Sequence, residues 1–248
     1  MPARSMDYYD HFDEIEWKEI GRSVYDQPIK LAEFGHGEDV LLFFSCFHGS
    51  ESSTPRFGFE FANMLNENPA LVQSDKKVVV VPLLNPDGFD MDTRRNANNV
   101  DLNRNYPTSN WGQQPNARRS DGRKRVVYFG DAPASEPETQ TVLKIMALYQ
   151  PDKIISVHQP LHCNNPDGPN GLGMAKLLGE YNGYELKQYI GFPTPGSYGT
   201  YGGKELAIPM VTLELPPGDP YTPEFDEMWE ANKDGLVAVV NANLEDLE

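Results

Sequence analysis

The chain has 248 residues, with 21 Lys and Arg against 37 Asp and Glu and a formal net charge of −16. That acidity argues against nucleic acid or an anionic membrane as partner, and 39% apolar with 23% charged residues argues against intrinsic disorder. No run approaches the ~18–20 apolar residues of a membrane helix, the first 17 residues lack the apolar stretch of a secretory signal, and two cysteines make no disulfide framework, so one cytoplasmic domain spanning 1–248 is expected.

In chain order, residues 1–38 read as a polar lead-in and then a hairpin, Trp17–Ile20 with Ile29–Phe34, turning at Tyr25–Pro28. Asp39–Phe47 is a continuous apolar run of strand length, as expected for a strand buried on both faces. Ser52–Pro55 offers a helix start, after which Phe57, Phe61, Met64 and Leu65 recur at helical spacing. Lys77–Leu84 predicts a second buried strand, closed by a turn at Asn85-Pro86-Asp87-Gly88. Phe89–Pro133 is a long polar connection without period, and such lengths inside a domain are usually functional. Then come a helix from Ser135–Glu138 to about Tyr149, a strand Lys153–His158, a helix near Leu172–Tyr181, a Gly/Pro-rich loop at Gly191–Gly203, a strand Ile208–Leu215 and a closing helix Pro223–Asn243. Strands alternating with helices predict a three-layer α/β fold whose mixed, largely parallel sheet is flanked by helices. Ligands of such sheets collect at the carboxyl ends of strands.

Those ends carry His48-Gly49-Ser50-Glu51, His158 and Glu214. Two histidines and a carboxylate that leave a position open for water are a ligand set of hydrolytic zinc sites. His-x-x-Glu alone is a weak signal, and a strand-end histidine is as readily a hydrogen-bonded structural residue. The helix-borne His-Glu-x-x-His pattern is absent.

The wider pattern is more specific. Asn85-Pro86-Asp87-Gly88, followed by Arg95 and the string Val100-Asp101-Leu102-Asn103-Arg104-Asn105, resembles the zinc carboxypeptidase family. Gly21-Arg22-Ser23, the segment from Gly130-Asp131 through Ser135-Glu136-Pro137-Glu138, and Thr194-Pro195-Gly196-Ser197 resemble its murein peptide amidase A branch. That resemblance implies one Zn²⁺ held by His48, Glu51 and His158, with Glu214 as general base and Arg95 on the oxyanion. It further implies Asn103 and Arg104 on a substrate carboxylate and Asp101 orienting His48. The implied reaction is hydrolysis of the γ-D-glutamyl-meso-diaminopimelate bond of murein peptides in cell-wall recycling. Many relatives have a mobile tyrosine where this chain has Phe192; either Tyr189, Tyr198 or Tyr201 takes over its substrate contact, or that contact is purely apolar. Gln159 also departs from an aspartate, with a change in substrate contacts as the implied consequence.

Two other readings stand beside this one: a deacylase resembling aspartoacylase and succinylglutamate desuccinylase, and a non-catalytic peptide-binding protein on a peptidase scaffold. Oligomeric state, monomer or homodimer, is left open. Cys46 and Cys163 read as buried thiols, and His162 as a structural or substrate contact. Positive charge is concentrated: residues 94–125 hold eight of the 21 basic residues, five of them within Arg118–Arg125, and only Asp101 and Asp121 as acids. The Arg118–Arg125 cluster reads equally as a solvated loop and as a means of drawing an anionic substrate towards the site.

Overall fold

Runs rich in Val, Ile, Leu and Phe build the middle of an eight-stranded sheet in the order β1-β2-β4-β3-β5-β8-β6-β7. The computed structural model describes residues 4–114 and 126–247, so the Arg118–Arg125 cluster lies outside the described residues. The strands are β1 Lys18–Arg22, β2 Pro28–Gly35, β3 Asp39–Phe44, β4 Lys76–Val81, β5 Lys153–His158, β6 Cys163–Pro166, β7 Glu185–Leu186 and β8 Met210–Glu214. The four central ones, β4, β3, β5 and β8, run parallel. β1 and β2 add antiparallel on one side, and β6 pairs antiparallel with β8 on the other. The predicted three-layer α/β fold with a mixed, largely parallel sheet is the one observed.

Side-chain alternation splits the core in two, because successive residues of a strand face opposite ways. Leu41 and Phe43 of β3, with Val78 and Val80 of β4, face α1 (Arg4–His11), α2 (Ser53–Glu67), α5 (Leu172–Asn182) and α6 (Pro223–Asn241). Val40, Leu42 and Phe44, with Val79 and Val81, face α4 (Pro137–Tyr149) and a set of tyrosines from the connecting loops. Helix α1 was not expected within the polar lead-in. Its partner is remote in sequence: Tyr8 and Phe12 stack on Phe59, with Tyr9 and Trp17 edge-on to the same ring. β6 and β7, four and two residues long, also escaped prediction, being too short and polar to carry a period. The predicted strand Asp39–Phe47 ends at Phe44 because the chain turns at Cys46, whose φ is +58°.

At the end of the sheet away from the strand carboxyl termini, Asp39 takes two buried lysines, Lys76 at 2.8 Å and Lys153 at 3.1 Å. Lys153 also donates to the carbonyls of Val240 and Ala242, capping the last turn of α6. Among the described residues, no helix is long and apolar enough to cross a membrane.

The start of α4 buries a second carboxyl. Glu138 accepts from the Val24 amide and from Asn96 Nδ2, and burial pushes its pKa up to about 7. A carboxyl raised in this way favours folding while protonated, and the advantage is lost as pH rises through the folded pKa. Ionising it opposes folding by about 2–3 kcal/mol. Glu138→Gln removes that cost. The melting temperature of the variant should therefore gain on the wild type by about 5 °C or more between pH 5 and pH 8. A difference that stays flat with pH would refute this account.

Candidate metal centre and its pocket

β3 is followed by α2 and β4 on one side, while β5 pairs on its other side. The crevice between the ends of β3 and β5 is thus a topological switch point, where a parallel sheet opens a cleft. His48 and Glu51 follow β3, His158 ends β5, and Glu214 ends β8 directly opposite His158 in the ladder.

The loop bearing His48 is fixed by the Asn-Pro-Asp-Gly turn. Asn85 accepts the Gly88 amide as the N-cap of the short helix α3 (Pro86–Asp90), donates its side-chain amide to Phe47 O at 3.0 Å, and gives its backbone N–H to Cys46 O. Asp87 receives the Ser23 hydroxyl, the Tyr25 amide and Gln27 Nε2, which docks the β1–β2 turn on α3. Gly49 is required between the two candidate ligands, since a Cβ there would lie 1.9 Å from the Gly88 carbonyl carbon.

His48, Glu51 and His158 are buried, and their potential ligand atoms all lie within 4.8 Å of one another. His48 Nδ1 is 2.7 Å from Glu51 Oε1 and 3.2 Å from His158 Nδ1, and His158 Nδ1 is 3.1 Å from Glu51 Oε2. Two imidazole nitrogens and a carboxylate converging on one point in a buried setting are a donor set that fits Zn²⁺. On its far side His48 meets Asp101, Nε2 to Oδ1 at 2.9 Å, the outer partner that a ligating histidine needs. Asn103 Nδ2 lies 3.2 Å from His158 Nε2, and its Oδ1 accepts the Tyr198 amide. Burial opposes ionisation of both Glu51 and Asp101. The two imidazoles around Glu51, and Arg94 with His48 around Asp101, outweigh it and hold both carboxyls low. Glu214 behaves oppositely: burial and the nearby Glu51 push it up against the pull of His158.

His48, Glu51, His158 and Glu214 line a cavity of about 260 Å³, together with Arg94, Asn103, Arg104 and Asp167. Arg95, expected there from the sequence, is not in it. Its guanidinium lies 3.5 Å over the Tyr128 ring and bonds Asn99 Oδ1. The neighbour Arg94 reaches in instead, Nε to Asp101 Oδ2 at 3.0 Å and Nη1 to Glu51 Oε1 at 3.4 Å. The two arginines stand in a bend of the chain, and their side chains leave it in different directions.

Tyr198 and Tyr201 also need correction as substrate contacts. Tyr198 is 0% exposed, packed on Phe44, Phe47 and Tyr106 beneath the site. Tyr201 stacks on Tyr106 and faces a groove shared with Leu143 and Met146. The loop there winds into a π-helical segment, Gly199–Glu205, and the apolar core beneath takes up both rings. Tyr189 is 66% exposed and outside the pocket, whose apolar wall is Ile190 and Phe192. Gln159 spends its amide on Pro216 O and Gly218 O while lining the pocket. His162 is exposed and edge-on to Tyr184. Both cysteines are buried, with burial raising their thiol pKa values, that of Cys163 to about 11.

Asp167 was not singled out in the sequence, although a signal was there: Asn-Pro-Asp-Gly occurs twice, at 85–88 and at 165–168. The second copy runs off β6 and places Asp167 on the pocket floor, with Thr212 donating to Oδ2 at 2.5 Å. Gly199 makes room for it, since a Cβ would stand 2.1 Å from Oδ1. Burial raises the carboxyl pKa to about 6.

A zinc carboxypeptidase (Peptidase_M14) family model matches residues 9–160. The chain belongs to the zinc carboxypeptidase family. Among curated relatives, murein peptide amidase A of Escherichia coli (strain K12) is 36% identical over 151 residues, 59% of this chain and 61% of the relative. The chain thus spans about three fifths of the length of that relative. The human carboxypeptidase N catalytic chain is 28% identical over 155 residues, 51% of this chain and 34% of its own. A crystal structure of murein-tripeptide amidase MpaA from Escherichia coli O157 superposes with a TM-score of 0.73 at 29% identity, covering 92% of both chains. Bovine thrombin-activatable fibrinolysis inhibitor shares the fold, with a TM-score of 0.73 at 18% identity over 95% of this chain and 93% of that one.

Two substitutions separate the arginines. Arg94→Ala should lower kcat by about 10²–10³, the typical cost of removing an oxyanion donor, whereas Arg95→Ala should stay within about twofold. The reverse ranking would return the role to Arg95. Asp101→Asn should weaken zinc binding about 10–100-fold in a chelator competition, and unchanged affinity would exclude Asp101 as the partner that orients His48.

Proposed function

We propose that this chain is a zinc-dependent amidase that cleaves the γ-D-glutamyl-meso-diaminopimelate bond of murein peptides, in the cytoplasm, as a step of cell-wall peptide recycling. The observation that carries the reading is one pocket in which the His48–Glu51–His158 cluster faces Glu214, with guanidinium groups beside it and a buried carboxylate on its floor. The similarity to murein peptide amidase A supports the choice of substrate.

Zinc held by the cluster would supply Lewis-acid polarisation of the scissile carbonyl and lower the pKa of water towards ~7. Glu214 takes the proton of the attacking water and returns it to the departing amine. Arg94 faces the carbonyl oxygen as it gains charge. Asn103 and Arg104 grip the α-carboxylate of the leaving residue, with the planar guanidinium giving two parallel bonds. Asp167 has no hydrogen-bonding cationic partner among the described residues, and the distal ammonium of diaminopimelate supplies one. Ile190 and Phe192 form an apolar wall in place of a phenol.

The test is mass spectrometry of L-Ala-γ-D-Glu-meso-diaminopimelate incubated with the zinc-loaded protein. Free diaminopimelate is expected, with release about 10²–10⁴ slower in Glu214→Gln. Intact tripeptide in every tube would sink the reading. Cleavage of an N-acyl amino acid alone would favour the deacylase, and tight tripeptide binding without turnover the non-catalytic binder. Asp167→Asn should raise KM about tenfold for the diaminopimelate peptide and leave one ending in alanine nearly unchanged; equal effects on both would remove Asp167 from recognition.

A further inference from the structure

The segment Ser135-Glu136-Pro137-Glu138 stands outside the pocket, yet its hydrogen bonds end on the loop that furnishes Arg94, Asn103 and Arg104 to it. Glu136 is 3% exposed. Its Oε2 accepts from Asn96 Nδ2 at 2.7 Å and Asn98 Nδ2 at 2.9 Å, and its Oε1 from the Ser135 hydroxyl at 2.6 Å. Asn96 is fully engaged. Its Oδ1 accepts the amides of Asn98 and Val100, and its Nδ2 is shared between Glu136 and Glu138. Two residues before Asn96 stands Arg94, and five after it Asp101. Arg94 and Asp101 meet each other at 3.0 Å, and the chain between them closes on Asn96. A second tie holds the far end, where Asn105 accepts the Glu136 backbone amide and donates to the Phe129 and Ala132 carbonyls.

We infer that Glu136 is a positioning residue, which through Asn96 and Asn98 sets where the Arg94 guanidinium and the Asp101 carboxylate stand. A carboxylate suits these donors. Both oxygens of Glu136 accept, one from a hydroxyl and one from two amides. A glutamine of equal size keeps one acceptor oxygen for Asn96 and Asn98, but its NH₂ group turns the Ser135 hydroxyl from donor to acceptor and the charge is lost. Charge-assisted bonds to a buried carboxylate are also the stronger kind. Among the described residues no Lys or Arg bonds Glu136, so these neutral donors carry its burial. Because the Arg94 arm serves charge that develops during reaction, displacement should appear in kcat. The Asn105 tie uses the Glu136 backbone and survives a side-chain change, so KM should hold.

The inference rests on the zinc amidase reading, and the experiment separates the two. Zinc-loaded wild type, Glu136→Gln, Arg94→Ala and the double variant are assayed on the murein tripeptide, and zinc affinity is measured by chelator competition. Glu136→Gln should lower kcat about tenfold or more with KM within twofold, and weaken zinc binding several-fold through Asp101 and His48. In the Arg94→Ala background the same change should cost less than about threefold, the non-additivity of residues that act as one unit. A Glu136→Gln protein with a lower melting temperature but wild-type kcat and zinc affinity would overturn the inference, as would full additivity with Arg94→Ala. Should Glu136→Gln not fold, Asn98→Ala removes one of the same bonds at an exposed position and should move kcat in the same direction; an unchanged kcat overturns the inference equally. Wild type that neither binds zinc nor turns over the tripeptide refutes the functional reading itself, and this inference with it.

Discussion

One carboxylate joins the halves of the site. Asp101 gives one oxygen to His48 Nε2 and the other to Arg94 Nε, so the imbalance of a buried charge is settled on both sides at once. Removing either partner from such a pair leaves a charge stranded in a low-dielectric setting, which is costlier than the pair is valuable. His48 belongs to the loop after β3, whereas Asp101 and Arg94 belong to the long connection after α3. The bond between them ties an element fixed by the sheet to one that has no ladder of its own. The Asn96 turn on one side of Asp101 and the Asn105 tie on the other hold that connection in place.

The distribution of charge follows the same logic at both ends of the parallel strands. At the amino ends, buried lysines crowd one aspartate and the carbonyls of α6. At the carboxyl ends, carboxylates meet imidazoles and guanidinium groups around a cavity. The strongly acidic surface implied by a net charge of −16 therefore says little about the cleft, where Arg94 and Arg104 line the wall beside His48 and His158.

How much of this was legible in the sequence depends on how local the cause is. The central strands and α2, α4, α5 and α6 declared themselves because burial on a sheet or helix face imposes a period within a few residues. His48, Glu51, His158 and Glu214 were legible because strand ends are where such a sheet opens. Arg94 was missed in favour of Arg95, since nothing in two adjacent arginines reveals which faces inward; the bonds of the neighbouring Asn96 run to Glu136 and Glu138, some forty residues on, beyond any local pattern. Tyr198 and Tyr201 looked like substrate contacts in a flexible Gly-rich loop, but the demand for apolar filling behind Phe44 and Phe47 drew both inward. Helix α1 has too few residues to show a pattern and is held by Phe59, far along the chain.

The pairing of His158 with Glu214 has a consequence for how this protein can fail. Both are the last residues of neighbouring parallel strands, and the ladder alone sets their relative height. A shift of β8 by one residue would turn its side chains to the opposite face while leaving most backbone bonds remade. Such a molecule could keep its helices and still be chemically silent. For this protein spectroscopic foldedness and competence are separate quantities, and an active-fraction titration rather than circular dichroism is the proper measure of a preparation.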